Sequence, residues 1–249
     1  MQSFVGSLIA LAIISACVDR AHRKDQLFAS WQDAQKGVKS LIVEFTLETK
    51  DATFGKTETV RGTFRLLRTP KDDVFASYEI CQPEAKGAKS DQCRGLLSDG
   101  MVYVLDQERK TAIRFDPTDV GLQSFLVRYF NPFPLLLDRK RADGKCQVEV
   151  TRIDEWYTYL AVKPKHVKRY GWFPDSFQEG RVVLMNKTND DVPKDMPCQL
   201  WYTDGIRACT FHIRSWRLDA ANAPRLEEFT KPEDRPGWEI NEWLRPAKK

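Results

Sequence analysis

The chain has 249 residues, of which 42% are hydrophobic and 30% charged, with a mean hydropathy of -0.49. That balance excludes an intrinsically disordered chain and a multi-span membrane protein, and the length suits one large domain or two small ones. Its 39 basic and 35 acidic residues leave a surplus of only +4, spread along the chain, which excludes nucleic-acid binding through a basic patch.

The first sixteen residues carry no charged side chain, and the next eight carry four, at Asp19, Arg20, Arg23 and Lys24. Residues 4–16 are continuously apolar or small. A stretch of this length falls short of the roughly 20 residues a helix needs to cross a bilayer core, and it matches the apolar centre of a secretory leader. One feature departs from that pattern: Met1-Gln2-Ser3 holds no Lys or Arg. Ile14-Ser15-Ala16-Cys17 resembles the bacterial lipobox, a branched apolar residue and two small ones before the cysteine that receives diacylglycerol. Residues 1–16 therefore read as a lipoprotein signal peptide and Cys17 as a lipidated N-terminus that anchors the chain to a membrane. Residues 17–249 read as a single domain with a short N-terminal tether and a polar C-terminal tail. Ordinary secretion with a nearby cut, leaving Cys17 free, and a buried N-terminal segment are the other readings of the same stretch.

Over residues 25–38, Leu27, Trp31, Ala34 and Val38 recur at helical spacing and predict an amphipathic helix. The period then changes to two. Leu41, Val43, Phe45 and Leu47 alternate with Ile42, Glu44, Thr46 and Glu48, and short strands follow in TETVRGTFRLL, DVFASYEIC, CRGLLSDG, MVYVLD and KTAIRFD. Asp99-Gly100 and residues 107–110 are turn signals, so the strands form an antiparallel meander. Residues 118–137 break the pattern with large apolar side chains around Pro132 and Pro134, and predict a helix at about 120–129 followed by an extended apolar loop. The meander resumes in CQVEVTRID, WYTYLAVKPK, GRVVLMN, CQLWYTD and IRACTFHIRSW, with a loop or short helix at 165–177. The chain ends, from Asn222, in polar residues, prolines, Trp238 and Trp243. Aligned alternation puts Val43, Phe45, Phe64, Leu66, Tyr78 and Phe211 on one concave side, either filled as an ordinary core or left as a cavity.

Without Cys17 the cysteines are an odd set: Cys81, Cys93, Cys146, Cys198 and Cys209. Cys198 and Cys209 flank a turn at Asp204-Gly205 and would face each other across a hairpin with a four-residue loop at 202–205. Cys81 and Cys93 bracket the polar loop EAKGAKSDQ and could close it. Disulfides of this kind contribute roughly 2–4 kcal/mol each. Cys146 reads as a buried thiol. No CxxC accompanies the cysteines and His22, His166 and His212 are scattered, so no metal site is expected. There is no GxSxG, HExxH, Walker loop or GxGxxG. Asp72-Asp73 and Asp190-Asp191 read as solvated turn charges, and the sequon Asn186-Lys187-Thr188 as incidental. The chain is expected to be no enzyme and to use no cofactor.

The order of these pieces resembles the periplasmic lipoprotein-carrier fold of the LolA/LolB type, over roughly residues 25–241. The likeness is carried by the first helix and LIVEFTL, by GTFRLLRTP, by Ser98-Asp99-Gly100 before MVYVLD, and by NPFPLLL at 131–137. YLAVKPK at 159–165, the turn at Asp204-Gly205, CTFHI and EEFTKPEDRPGW follow in order. The resemblance implies an incomplete, half-open antiparallel barrel whose apolar concave face is covered by α-helices and can hold acyl chains. It also implies a lid latched by an arginine on the second strand, at the position of Arg68, although Thr69 here separates that arginine from Pro70. The expected function is an envelope lipoprotein on the periplasmic face of the bacterial cell envelope that binds a lipid or an acylated protein, in lipoprotein transport or reception. A structural or sensory envelope module that uses the same fold for protein contact is the alternative.

Overall fold

The alternation of Leu41, Val43, Phe45 and Leu47 with Ile42, Glu44, Thr46 and Glu48 can bury the first set on one face only by lying in a sheet. A computed structural model, which describes residues 20, 22–30, 38–71, 73–81, 92–115, 146–165, 178–219 and 221–242, makes this segment β1 (Ser40–Asp51) of a twelve-stranded sheet. The others are β2 (Thr57–Arg68), β3 (Val74–Cys81), β4 (Gln92–Ser98), β5 (Met101–Asp106), β6 (Thr111–Phe115), β7 (Cys146–Ile153), β8 (Tyr157–Pro164), β9 (Glu179–Met185), β10 (Pro197–Thr203), β11 (Arg207–Leu218) and β12 (Glu239–Glu242). They lie in the order β12-β6-β5-β4-β3-β2-β1-β11-β10-β9-β8-β7, so the first strand of the meander meets β11 and joins the two halves. The sheet is open: β12 and β7 are its two edges.

Every strand expected from the sequence is present. β12 was not foreseen, and it runs parallel to β6 in a sheet that is otherwise antiparallel, in keeping with a mainly antiparallel fold. Its four residues, Glu239-Ile240-Asn241-Glu242, hold one apolar side chain, too short a pattern to signal a strand. The Asp99-Gly100 turn is a two-residue hairpin loop between Ser98 and Met101, with φ of 50° and 73°. Positive φ at both positions is what a turn matching the twist of its strands requires, and Gly and Asp tolerate it.

Three irregularities interrupt the ladders, between Glu44 and Phe45 in β1, Val150 and Arg152 in β7, and Pro197 and Gln199 in β10. Bulges bend a strand and raise its twist, which favours a coiled sheet with an inner and an outer face. Onto the inner face packs α1 (residues 22–30), whose Leu27 and Phe28 are buried in the main core. The sequence placed this helix at 25–38; Val38 already lies outside it, just before β1, and Trp31 and Ala34 fall outside the described residues. The guanidinium of Arg23 fastens α1 by donating to Asp195 at 2.6 Å and Asn186 at 3.3 Å, in the β9–β10 connection. The leader, Cys17, the expected helix at 120–129 with NPFPLLL, and the loop at 165–177 also lie outside the described residues, as do His166 and Trp243. Among the described residues one α-helix covers the sheet.

The other face has its own small core. Phe75, Leu96, Tyr103, Leu105 and Ala112 from β3 to β6 are covered by Phe229, which stands in a short 3-10 turn at Leu226–Phe229. Phe75 and Phe229 have ring centroids 6.0 Å apart. Lys231 reaches Asp99 at 2.7 Å, and Arg114 pairs with Glu233 at 2.9 Å and with Glu242. The segment from Asn222, polar by composition, is thus docked across β3–β6 through a few apolar side chains and ion pairs.

Candidate functional site

Cross-strand partners in an antiparallel pair share a face, so the register decides which candidates meet. Val43 stands opposite Phe64 on one side and Trp216 on the other, and Phe64 stands opposite Tyr78. Leu66 faces Leu41 and Ala76, Phe45 faces Gly62, and Leu47 faces Phe211. All six candidates therefore lie on the inner face. Val43, Phe45, Phe64, Tyr78 and Phe211 are buried, and Leu66 is half-buried against the same cluster. The Phe45 and Phe211 ring centroids are 5.4 Å apart, and Tyr202 stacks on Phe211 from the other side at 6.4 Å.

The register carries the face further than the sequence reading did. Val60, Leu47, Phe211, Leu200, Val182, Leu160 and Val150 are successive partners across β2, β1, β11, β10, β9, β8 and β7. Six inter-strand steps at about 4.8 Å make this apolar row about 29 Å long. Each of its side chains was visible in the alternation of its own strand, but nothing local aligns one strand with the next. Two polar groups on this side, among the described residues, are held by hydrogen bonds. The Trp216 indole N–H donates to the Pro197 carbonyl at 2.8 Å, and the buried Thr158 hydroxyl donates to Asn186 at 2.6 Å. Such a surface removes apolar atoms from water.

Arg68 is the last residue of β2, in the row of Phe64 and Leu66, and half-buried at their rim. Its backbone N–H donates to the Lys39 carbonyl at 2.7 Å. Thr69 opens the following turn, where its N–H donates to the Asp73 carbonyl at 2.9 Å.

The expected Cys198–Cys209 disulfide is absent, and both thiols are free. The hairpin turns two residues later than expected, with Thr203 opposite Ala208 and Tyr202 opposite Cys209. Cys198 then stands four residues from the partner of Cys209, about 13 Å along the strand, beyond the roughly 7 Å that a disulfide tolerates between Cα atoms. The Cys198 thiol instead donates to the Val183 carbonyl at 3.4 Å, and burial pushes its pKa up to about 11. Cys146 is buried in the main core, as expected. Cys81 stands opposite Gln92 and Cys93 opposite Ile80, so the pair is one residue out of register; their side chains lie outside the described residues.

His22 contacts Gln26 at 2.8 Å, and His212 is exposed on the outer face opposite Thr46. Among the described residues no group of three or more His, Cys, Asp or Glu could hold a metal. The outer face of β7–β10 holds an open groove of about 680 Å³ that sequence reasoning missed. In it the Arg152 guanidinium lies 4.8 Å from the centre of the Tyr159 ring, and that of Arg181 lies 4.9 Å from Trp201. Both aromatic faces are thus occupied by the chain's own arginines.

No protein-family model and no curated protein matches the chain. Solved structures do. The chain is similar to LprF from Mycobacterium bovis at 11% identity and a TM-score of 0.43, over 83% of this chain and 98% of that one. It is similar to a LolA superfamily protein from Nitrosomonas europaea at 9% identity and a TM-score of 0.42, over 84% and 98%. The lipoprotein LppX from Mycobacterium tuberculosis aligns at 12% identity and a TM-score of 0.39, over 80% and 99%. Similarities of this size carry no weight for function.

Proposed function

We propose that this chain is a bacterial envelope lipoprotein that holds the acyl chains of a lipid or of an acylated protein against its apolar inner face, with no reaction chemistry. The observation that carries the reading is the apolar row from Val60 to Val150, continuous across seven strands and flanked by the aromatic side chains of Phe45, Phe64, Tyr78 and Trp216. Transfer of a methylene from water to such a surface is worth about 0.8 kcal/mol, so an acyl chain of a dozen methylenes gains on the order of 10 kcal/mol before ordering costs. Anchoring through an acylated Cys17, on the periplasmic side of the envelope, and handling of lipoproteins in transport or reception belong to the same proposal.

The test is organic extraction and mass spectrometry of the purified full chain, with titration of a fluorescent acyl probe. Co-purifying lipid and saturable probe binding are expected. Phe64→Glu, which puts a carboxylate in the middle of the face, should abolish binding. Leu66→Glu, at the half-buried rim, should weaken it in a chain that still unfolds cooperatively. Protein free of lipid that also leaves the probe in solution would overturn the proposal. It would favour a filled interior, in keeping with the complete burial of Val43 and Tyr78, and a module that works through protein contact.

A further inference from the structure

We propose that the tip of the β7–β8 hairpin is a second membrane contact, with Ile153 and Trp156 seated in the interfacial layer of the same phospholipid bilayer that holds the acylated Cys17. The inference rests on the anchoring reading above. Both side chains are exposed, Ile153 at 43% and Trp156 at 53%. They are presented on a rigid turn. The Asp154 carboxylate accepts from the backbone N–H groups of Trp156 at 3.0 Å and Tyr157 at 2.8 Å, and the Asp154 N–H donates to the Tyr157 carbonyl at 2.9 Å. A pre-ordered tip gives up little conformational entropy when it docks.

The tip is tied to the start of the chain's first helix. Asn186 donates its backbone N–H to the Trp156 carbonyl at 2.8 Å and its side-chain amide to the Asp154 carbonyl at 2.7 Å, while its amide oxygen accepts from Arg23 of α1 at 3.3 Å. Arg23 is six positions after Cys17, and six residue steps span at most about 22 Å. A bilayer that holds acyl chains on Cys17 therefore lies within that distance of Arg23, at the end of the sheet where the tip stands. The more exposed Phe54 and Ile206 do not qualify. They sit in the turns after β1 and before β11, which the Ala52 N–H joins by donating to the Ile206 carbonyl at 2.8 Å. That is the far end of two twelve-residue strands, about 40 Å away.

The charges at the tip are paired. Arg152 bonds Asp154 at 2.6 Å and Lys187 bonds Glu155 at 2.6 Å, with the Lys187 ammonium 4.3 Å from the centre of the Trp156 ring. Apolar burial and the preference of the amphipathic indole for the headgroup layer drive the contact, so it needs no anionic lipid and survives high salt.

The experiment places the full, acylated chain on phosphatidylethanolamine–phosphatidylglycerol vesicles containing phosphatidylcholine brominated near the head of its acyl chains, and measures quenching of tryptophan emission. Cys17 mass and co-sedimentation report the anchoring separately. Quenching is expected at low and high salt, and is largely lost in Trp156→Phe and in Ile153→Glu, both exposed positions whose variants keep the native far-ultraviolet spectrum. Acylated, sedimenting protein quenched equally with and without Trp156 overturns the tip contact and leaves the anchoring standing. An unmodified Cys17 with the protein left in the supernatant overturns both.

Discussion

Gly62→Ala adds one methyl group to the inner face at the place where the packing is most sharply defined. Gly62 stands opposite Phe45, and a Cβ there would lie 2.3 Å from Cζ of Phe45 and 2.6 Å from Cε2. The ring has to move, yet it is 4% exposed and sits 5.4 Å from the Phe211 ring. Overpacking of this kind costs typically 1–3 kcal/mol, and Ala regains about 0.5–1 kcal/mol over Gly in a strand interior. A net loss of about 1–2 kcal/mol follows, which for a chain of this size lowers Tm by about 2–8 °C. Urea unfolding of the purified chain gives the number, and Phe45→Leu in the same chain checks the cause. The smaller side chain leaves room for the new methyl, so the double variant should lie about 1 kcal/mol above the sum of the singles. If Gly62→Ala is as stable as the parent in both backgrounds, the Phe45 ring swings freely into empty space and the packing described for the inner face is wrong.

Two further outcomes follow from the outer face and the hairpin. Burial, and then Glu233, which accepts its hydrogen bond at 3.0 Å, push the Tyr103 hydroxyl up to about 12 from 10.0. Because the folded value is the higher one, its stabilisation is intact below pH 10 and is lost as pH rises toward 12, by up to about 2 kcal/mol. Alkaline unfolding curves of Tyr103→Phe should be flatter over that window, and identical slopes would remove Tyr103 as the cause. Cys198, whose raised pKa leaves little of the reactive thiolate, and Cys209, which burial keeps from the reagent, should react with a thiol reagent at pH 8 only slowly until the chain is unfolded. A disulfide-linked peptide containing both, found by mass spectrometry, would contradict the register of β10 and β11.

Much of this protein was legible without coordinates because the alternation of apolar and polar residues is local: two neighbours suffice to say which side chains share a face. Eleven strands, the Asp99-Gly100 hairpin and the common face of the six candidates from Val43 to Phe211 follow from it. What local pattern cannot carry is register and distant partnership. Cys198 and Cys209 were misjudged because the hairpin turns at residues 204–207, two residues later than the Asp-Gly signal suggested. β12 was missed because its partner, β6, lies over a hundred residues earlier and its own sequence is mostly Glu and Asn. Phe229 carried no signal within the polar C-terminal segment, and only the outer face of β3–β6 supplies Phe75 beneath it.

By itself, then, the amino-acid sequence determined that this chain builds a long sheet with one apolar face and carries a lipobox-like segment before a polar domain. Only the tertiary structure decided that the apolar face runs unbroken from β2 to β7 and that the first helix is bonded through Asn186 to the β7–β8 tip. It also decided that the C-terminal segment closes the opposite side. The physical reason is the same in each case. A side chain's facing is set by the torsions of its own residues, whereas its neighbour across the sheet is set by turn lengths and bulges summed along the whole chain.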